Sequence, residues 1–260
     1  MNRSYRTEAI VVRRVNLGEA DRILTLFTRD RGKISVVAKG CRRGASSMSG
    51  ATELCSYASF QLAMGANLDV VTQVELKTAF LALRGSLDRI SRAMYALEFC
   101  NEFLEERQPQ PDLFDLLLSA LYVIQKAQQL DWTVAGFELQ AMSILGYAPQ
   151  LDVCSVCGRP GNAAECRFSA VLGGILCEAC GPSRRESVIV SPAAGAALRR
   201  MMESQLPALG CEEAPAALAI EVRRLMRSHV RHRAEKEFKS VRFIEQLRAE
   251  EASRSQEEHA

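Results

Sequence analysis

Two cysteine pairs, Cys154 with Cys157 in "CSVC" and Cys177 with Cys180 in "CEAC", stand nineteen residues apart. No other feature restricts the fold of this chain so tightly. Each pair bends the backbone so that two thiolates face one point, and a tetrahedral ion then joins the two bends. Gly158 and Gly181 follow the second cysteine of each pair, where amides turn toward sulfur and a tight bend is needed. Gly173 and Gly174 in "VLGGIL" fit a turn between two short strands. The pattern predicts one Zn2+ bound by Cys154, Cys157, Cys177 and Cys180. Four thiolates fill a tetrahedron, whereas a catalytic zinc keeps one position open for water, so the expected role is structural. The sequence has no HxE or HExxH motif, and its histidines are His229, His232 and His259. A dithiol redox centre would need a thioredoxin-like βαβ unit, which the flanking pattern does not supply.

The chain has nine cysteines among 260 residues and starts with no apolar leader, which argues against a disulfide framework. Cys41, Cys55, Cys100, Cys166 and Cys211 read as small buried hydrophobes, with Cys166 a spare inside the metal segment. No stretch approaches the roughly 18 uncharged apolar residues of a membrane helix. The expected setting is cytoplasmic, without a membrane partner.

The first eighty residues read as five short strands. "EAIVVRRV" is rich in β-branched residues, and "RILTLFT" alternates Ile23, Thr25 and Phe27 against Leu24, Leu26 and Thr28. "RDRGK" is a turn with Gly32 placed for positive φ, and "KISVVAKGC" is a third run. "CSYASFQLAM" and "LDVVTQVELKTAF" complete the set. Five strands at this spacing fit a small closed barrel, an OB-fold ahead of an SH3-like barrel. From Ser86 the apolar period becomes helical, with Ser86 as a cap, Pro109 as a stop, Pro111 in a first turn and Asp131 as a further cap. The expected class is α+β: a five-stranded OB-fold barrel over 1–80, a helical domain over 81–150 and 188–248, a four-cysteine zinc insert over 151–187, and a disordered tail over 249–260.

Charge is unevenly spread. Residues 1–50 hold eleven basic and four acidic side chains, whereas residues 88–152 hold four basic and ten acidic ones. A basic head on an acidic middle predicts a polyanion partner at the N-terminus. A basic barrel face tracks phosphates and stacks bases on aromatics. Arg13 and Arg14 leave opposite sides of a strand, so one faces solvent, and Arg14 is taken as the candidate phosphate contact. Lys33, Lys39, Arg42 and Arg43 lie on the third strand and the loop beyond it. Tyr57 and Phe60 fit the core better than a stacking platform. In the C-terminal helix, Arg224, Arg227 and Arg231 share one face, with Val222, Leu225, Met226 and Val230 on the buried side.

There is no GxSxG, Walker A or GxGxxG motif, and the pairs Glu105/Glu106 and Glu212/Glu213 read as solvated faces. The balance points to binding rather than catalysis. A zinc-ribbon transcription or translation factor that binds RNA is the alternative, separable by comparing single-stranded DNA with RNA. A metal-dependent nuclease would need a carboxylate cluster for Mg2+, and none stands in the basic region.

Several segments resemble the RecO family of bacterial recombination mediators. The closest are "GEADRILTLFT" from Gly18 to Thr28, "GKISVVAKG" from Gly32 to Gly40, and the closing "EFKSVRFI" from Glu237 to Ile244. The cysteine pairs match its zinc-bearing members. The resemblance implies an OB-fold that binds single- and double-stranded DNA, a helical body and no turnover. It further implies annealing of complementary strands and, with a RecR partner, loading of the RecA recombinase onto strands coated by single-strand binding protein. Lys33 and Lys39 carry over by motif, with Arg42 and Arg43 close behind. Cys41 departs from the small residue common at its position, and burial at the barrel end is the expected explanation.

Overall fold

Alternation builds the N-terminal barrel. Its strands are β1 (Ser4–Leu17), β2 (Asp21–Thr28), β3 (Gly32–Ala38), β4 (Tyr57–Ala63) and β5 (Asp69–Thr78), closed in the order β1-β2-β3-β5-β4. The computed structural model describes residues 4–44, 46–161 and 166–257, with side chains through Glu250 and at Ser253. In β2, Leu24 and Leu26 are fully buried inside the barrel, and Phe60 and Leu62 of β4 meet them there. β1 serves two neighbours: residues 4–10 pair with β4 and residues 9–17 with β2. A bulge between Val11 and Arg13 bends the strand between these tasks. The five-stranded closure is that of the expected OB-fold, with Cys41 fully buried in the core.

The closing pair is short. β3 meets β5 in parallel only at Val36–Asp69 and Val37–Val70. The other end of β3 is bordered by the connection between α2 (Leu87–Phe103) and α3 (Pro111–Ile124), where Glu106 bridges to Lys33 and the Arg107 amide donates to the Lys33 carbonyl at 2.9 Å. Gly32 sits beneath this crossing at φ +68°, and a Cβ there would overlap the Gln108 backbone.

The chain forms two compact units, one running to Gln125 and resuming at Lys239, the other spanning Lys126–Phe238. The first unit holds the barrel, α1 (Leu81–Arg84), α2, α3 and α8 (Lys239–Glu257). Ser86 caps α2, accepting from the Arg89 amide. α2 ends at Phe103, ahead of the expected stop at Pro109, and its free Asn101 carbonyl receives the Lys33 ammonium at 2.8 Å. Phe114 of α3 packs edge-on against Phe27, ring centres 5.4 Å apart, on the outer face of the barrel. The Glu98 carboxylate of α2 accepts the Lys239 and Ser240 amides, both at 2.9 Å, and so caps α8. α8 continues to Glu257, so residues 249–257 differ from the disordered tail expected. Alanine, glutamate and arginine there are good helix formers, and they extend a helix already started by a cap. Residues 258–260 of that tail lie outside the described residues.

The second unit is built around α4 (Leu130–Ile144), with α5 (Pro192–Glu203), α6 (Leu206–Gly210) and α7 (Ala216–Ala234) against it. Trp132, Phe137 and Leu139 of α4 are buried. The N-cap of α4 is Gln129. Asp131, expected as that cap, instead lies in the first turn and accepts from Arg223 at 3.0 Å. α7 buries Val222, Leu225, Met226 and Val230 as its pattern requires, and His229 with them. A small sheet of β6 (Cys166–Ser169), β7 (Gly174–Leu176) and β8 (Val188–Val190), in the order β7-β6-β8, belongs to the same unit. No helix among the described residues is long and apolar enough to cross a membrane.

Candidate functional site

The four predicted ligands converge. The sulfurs of Cys154, Cys157, Cys177 and Cys180 all lie within 4.8 Å of one another, and those of Cys157 and Cys177 are 3.8 Å apart. Thiolates about 2.3 Å from a tetrahedral zinc would stand about 3.8 Å from each other, so the donor set fits the ion without rebuilding the loops. Local backbone explains the convergence. In the first bend Gly158 takes φ +70° and its amide donates to the Cys154 carbonyl at 2.9 Å. In the second, the Gly181 amide donates to the Cys177 carbonyl at 2.8 Å. The Ser155 amide donates to the Ile175 carbonyl at 2.9 Å, which ties the first bend to the strand leading into the second.

Two of the thiols depart from ordinary cysteine acidity in opposite directions. Burial opposes ionisation of Cys154, but backbone amides of Cys177, Cys157 and Val156 outweigh it and lower the pKa to about 6. At Cys180, the hydrogen bond with Cys177, then burial and the other thiols, push the pKa up to about 12. Cys154 therefore ionises readily, whereas Cys180 resists joining it. A divalent cation removes that conflict, because it favours the ionised form of every ligand.

Of the scattered cysteines, Cys41, Cys55 and Cys100 are buried as expected, whereas Cys166 is half-buried and Cys211 is exposed. Cys211 follows the short α6, where the chain turns through solvent toward α7, so no core is available to cover it.

The basic candidates fall into three groups. Lys39, Arg42 and Arg43 are exposed together in the turn after β3, and none has an acidic partner among the described residues. Gly40 takes φ +65° there, and its amide donates to Asp21 at 2.7 Å. The Arg42 amide donates to the Ala20 carbonyl at 2.9 Å, so the turn is fastened to the β1–β2 turn and its side chains point outward. Arg14 and Lys33 each have a partner within the first unit. Arg14 is half-buried against Glu53 while Arg13 is exposed, and Lys33 caps α2 at the opposite end of β3 from Lys39, about 20 Å away along the strand. Arg224 and Arg231 are exposed on α7 and Arg227 is half-buried, all in the second unit. Phe60 is fully buried, and the Tyr57 hydroxyl donates to Glu8 while its ring meets Phe114, so neither offers a stacking platform.

The sequence reading missed Arg22 and Arg84, which join Arg14 around Glu53 at 2.9 and 3.8 Å. Arg22 follows the strand parity of Leu24 and Leu26, and that periodicity alone places its side chain at the barrel mouth.

The sequence profile described as "Recombination protein O N terminal" matches residues 1–80, and that described as "Recombination protein O C terminal" matches residues 84–242. The DNA repair protein RecO of Roseiflexus sp. (strain RS-1) is 37% identical over 247 residues, covering 95% of this chain and 87% of its own. That of Symbiobacterium thermophilum is 33% identical over 248 residues, 94% of this chain and 98% of its own. That of Myxococcus xanthus is 34% identical over 245 residues, with the same two shares. A closed five-stranded barrel, a four-cysteine cluster and similarity across nearly the whole length agree, and the chain belongs to the RecO family of DNA repair proteins.

Proposed function

We propose that this protein is a recombination mediator that binds single- and double-stranded DNA and anneals complementary strands. Together with RecR, it helps load RecA onto strands coated by single-strand binding protein, and it does so by binding, without turnover. Membership of the RecO family supports this reading, and the observation that carries it is the exposed Lys39–Arg42–Arg43 turn on an OB barrel. Such a turn neutralises phosphates without reading bases, which is what a mediator acting on any sequence requires. Two complementary strands repel each other; a cationic rim that screens both lowers the cost of bringing them together. Arg224 and Arg231 offer a second cationic face for the same purpose.

In the same reading the four thiolates hold one Zn2+, which supplies a rigid cross-link between the two cysteine bends and no chemistry on DNA. The same reading assigns the protein a cytoplasmic, nucleoid-associated setting, where a mediator meets chromosomal DNA.

The test is strand annealing with bare and with protein-coated complementary oligonucleotides. The proposal expects annealing of both, and faster RecA assembly on coated strands when RecR is added. Binding to DNA without annealing of either substrate would reduce the protein to a passive binder and refute the mediator reading.

A further inference from the structure

The barrel end that carries the Lys39–Arg43 turn also holds a carboxylate among three arginines. Arg14 pairs across the sheet with Leu24, whose side chain is fully buried inside the barrel, so Arg14 lies on the inner face. Arg22 shares that face, two residues before Leu24. Both therefore sit where the apolar interior reaches the barrel mouth. Arg84, at the end of α1, approaches from the side. All three guanidinium groups lie within ion-pair distance of one carboxylate, Glu53.

One acid does not balance three arginines, either in charge or in hydrogen bonds. Each guanidinium carries five N–H donors. Besides Glu53, the acceptors are the Thr52 carbonyl and hydroxyl for Arg22 and the Leu54 carbonyl for Arg84. The Nε of Arg22 is buried with no partner. Buried donors in native proteins are nearly always matched, so an unmatched one marks a place for a further acceptor. A phosphodiester carries one charge, as a carboxylate does, but its two unesterified oxygens on a tetrahedral centre direct their lone pairs more widely and suit bidentate arginine from several sides.

The site can open without unfolding. The Glu53 backbone is held by bonds to the Gly50 carbonyl and from the Ser56 amide, while its side chain is 26% exposed. Displacing the carboxylate therefore calls for side-chain rotation and no break in these backbone bonds. The location favours a strand over a free ion: Arg22 pairs across the sheet with Ala38, next to Lys39, and the Arg42 guanidinium rests on the Gly18 carbonyl of the adjoining turn.

We propose that Arg14, Arg22 and Arg84 form a phosphodiester-binding site at the barrel mouth, in which Glu53 is the resident carboxylate that a DNA phosphate displaces. This rests on the DNA-binding reading above and adds to it a defined pocket and an internal competitor. Glu53 lowers the affinity of the free protein for isolated phosphates, and a strand already held by the Lys39–Arg43 turn overcomes it through proximity.

The test compares full-length wild type, Glu53→Gln, Arg84→Ala and the double variant for binding to a labelled oligothymidylate across a salt series. Glu53→Gln is expected to tighten binding by roughly threefold or more and to steepen the log–log salt slope by about 0.7, one added phosphate contact. Arg84→Ala should weaken binding and cancel that gain. If Glu53→Gln folds normally, by thermal midpoint and circular dichroism, and binds no tighter, the proposal fails. If Glu53→Gln does not fold, Arg84→Ala decides, and wild-type affinity and slope in that variant overturn the pocket. A parallel arm adds inorganic phosphate at constant ionic strength. Phosphate that stabilises Glu53→Gln with no change in oligothymidylate binding would make this a free-anion site and also overturn the proposal. Weakened binding in Arg42→Glu/Arg43→Glu, with both pocket variants unchanged, would sink the pocket and leave the DNA-binding reading standing. A wild-type protein that binds no oligothymidylate would sink both.

Discussion

Replacing Cys154 or Cys177 with serine removes one corner of the sulfur tetrahedron and leaves three thiolate ligands, one short of the set that closes a structural zinc site. The size of the effect follows from the geometry. The sulfurs already lie within 4.8 Å of each other, so ion binding costs little rearrangement of the loops. Zinc binding to comparable thiolate sites in small peptides is worth about 10–16 kcal/mol at neutral pH, and much of it is folding energy. A whole domain is stable by only about 5–15 kcal/mol, so losing most of that binding is enough to unfold the cysteine segment. The small sheet around it cannot compensate, since β6, β7 and β8 have four, three and three residues. Hydrogen exchange is the suitable assay because it resolves regions. Amides of Ser155, Gly158, Ile175 and Gly181 should lose protection in Cys154→Ser, while barrel amides such as those of Leu24 and Val36 keep theirs. Metal analysis should give one zinc per chain for wild type and for Cys211→Ser, and none for Cys154→Ser. Freshly purified protein without zinc would refute the reasoning, as would unchanged protection in a variant with all four cysteines replaced.

Three further outcomes follow from packing. His229 is buried, which holds its pKa below the usual histidine range, with the Tyr147 carbonyl pulling the other way and Arg233 and His232 adding to the depression. Its contribution to stability is therefore complete above about pH 6.5, the ordinary value, and is lost as pH falls below that; urea unfolding at pH 7.5 and 5.5 should show a smaller pH dependence in His229→Gln than in wild type. Gly32→Ala combines positive φ with overlap on the Gln108 backbone, and should lower stability by roughly 2 kcal/mol or more, read as a shift of the denaturation midpoint. Glu98→Ala removes the cap of α8 and should cost about 1–2 kcal/mol, with faster exchange at the Lys239 and Ser240 amides and little change in the barrel.

The parts of this molecule that repeat or pair in sequence were legible; those that depend on a distant partner were not. Strand alternation set Leu24 and Leu26 on one face of a barrel strand and marked Phe60 as core, and cysteine spacing brought four sulfurs to one point; which face of β2 is the inner one came from the closed barrel. Arg13 and Arg14 show the limit. Parity puts them on opposite faces, but which one faces solvent depends on the Val11–Arg13 bulge and on Glu53, some forty residues away. Lys33 sits in a family motif and reads as a DNA contact, yet its ammonium serves an α2 carbonyl 68 residues on. Composition marks the tail after Arg248 as solvated, but the Glu98 cap that starts α8 lies 141 residues before Lys239.

The central claim is that the Lys39–Arg43 turn is the primary DNA contact. The most direct measurement is the affinity of Arg42→Glu/Arg43→Glu for single-stranded DNA across a salt series, beside an equal charge reversal elsewhere. Arg184→Glu/Arg185→Glu is the suitable control, because both residues are exposed, whereas Arg199 and Arg200 are tied to the Leu151 carbonyl and to Glu212. If four to six phosphates are neutralised, wild type should show a log–log slope of about −3 to −4. The turn variant should lose at least about tenfold in affinity, or 1.4 kcal/mol, with a shallower slope and loss of annealing. The control should stay close to wild type. Equal losses in the two variants would reduce the effect to net charge, and wild-type binding by the turn variant at low and high salt would contradict the account outright.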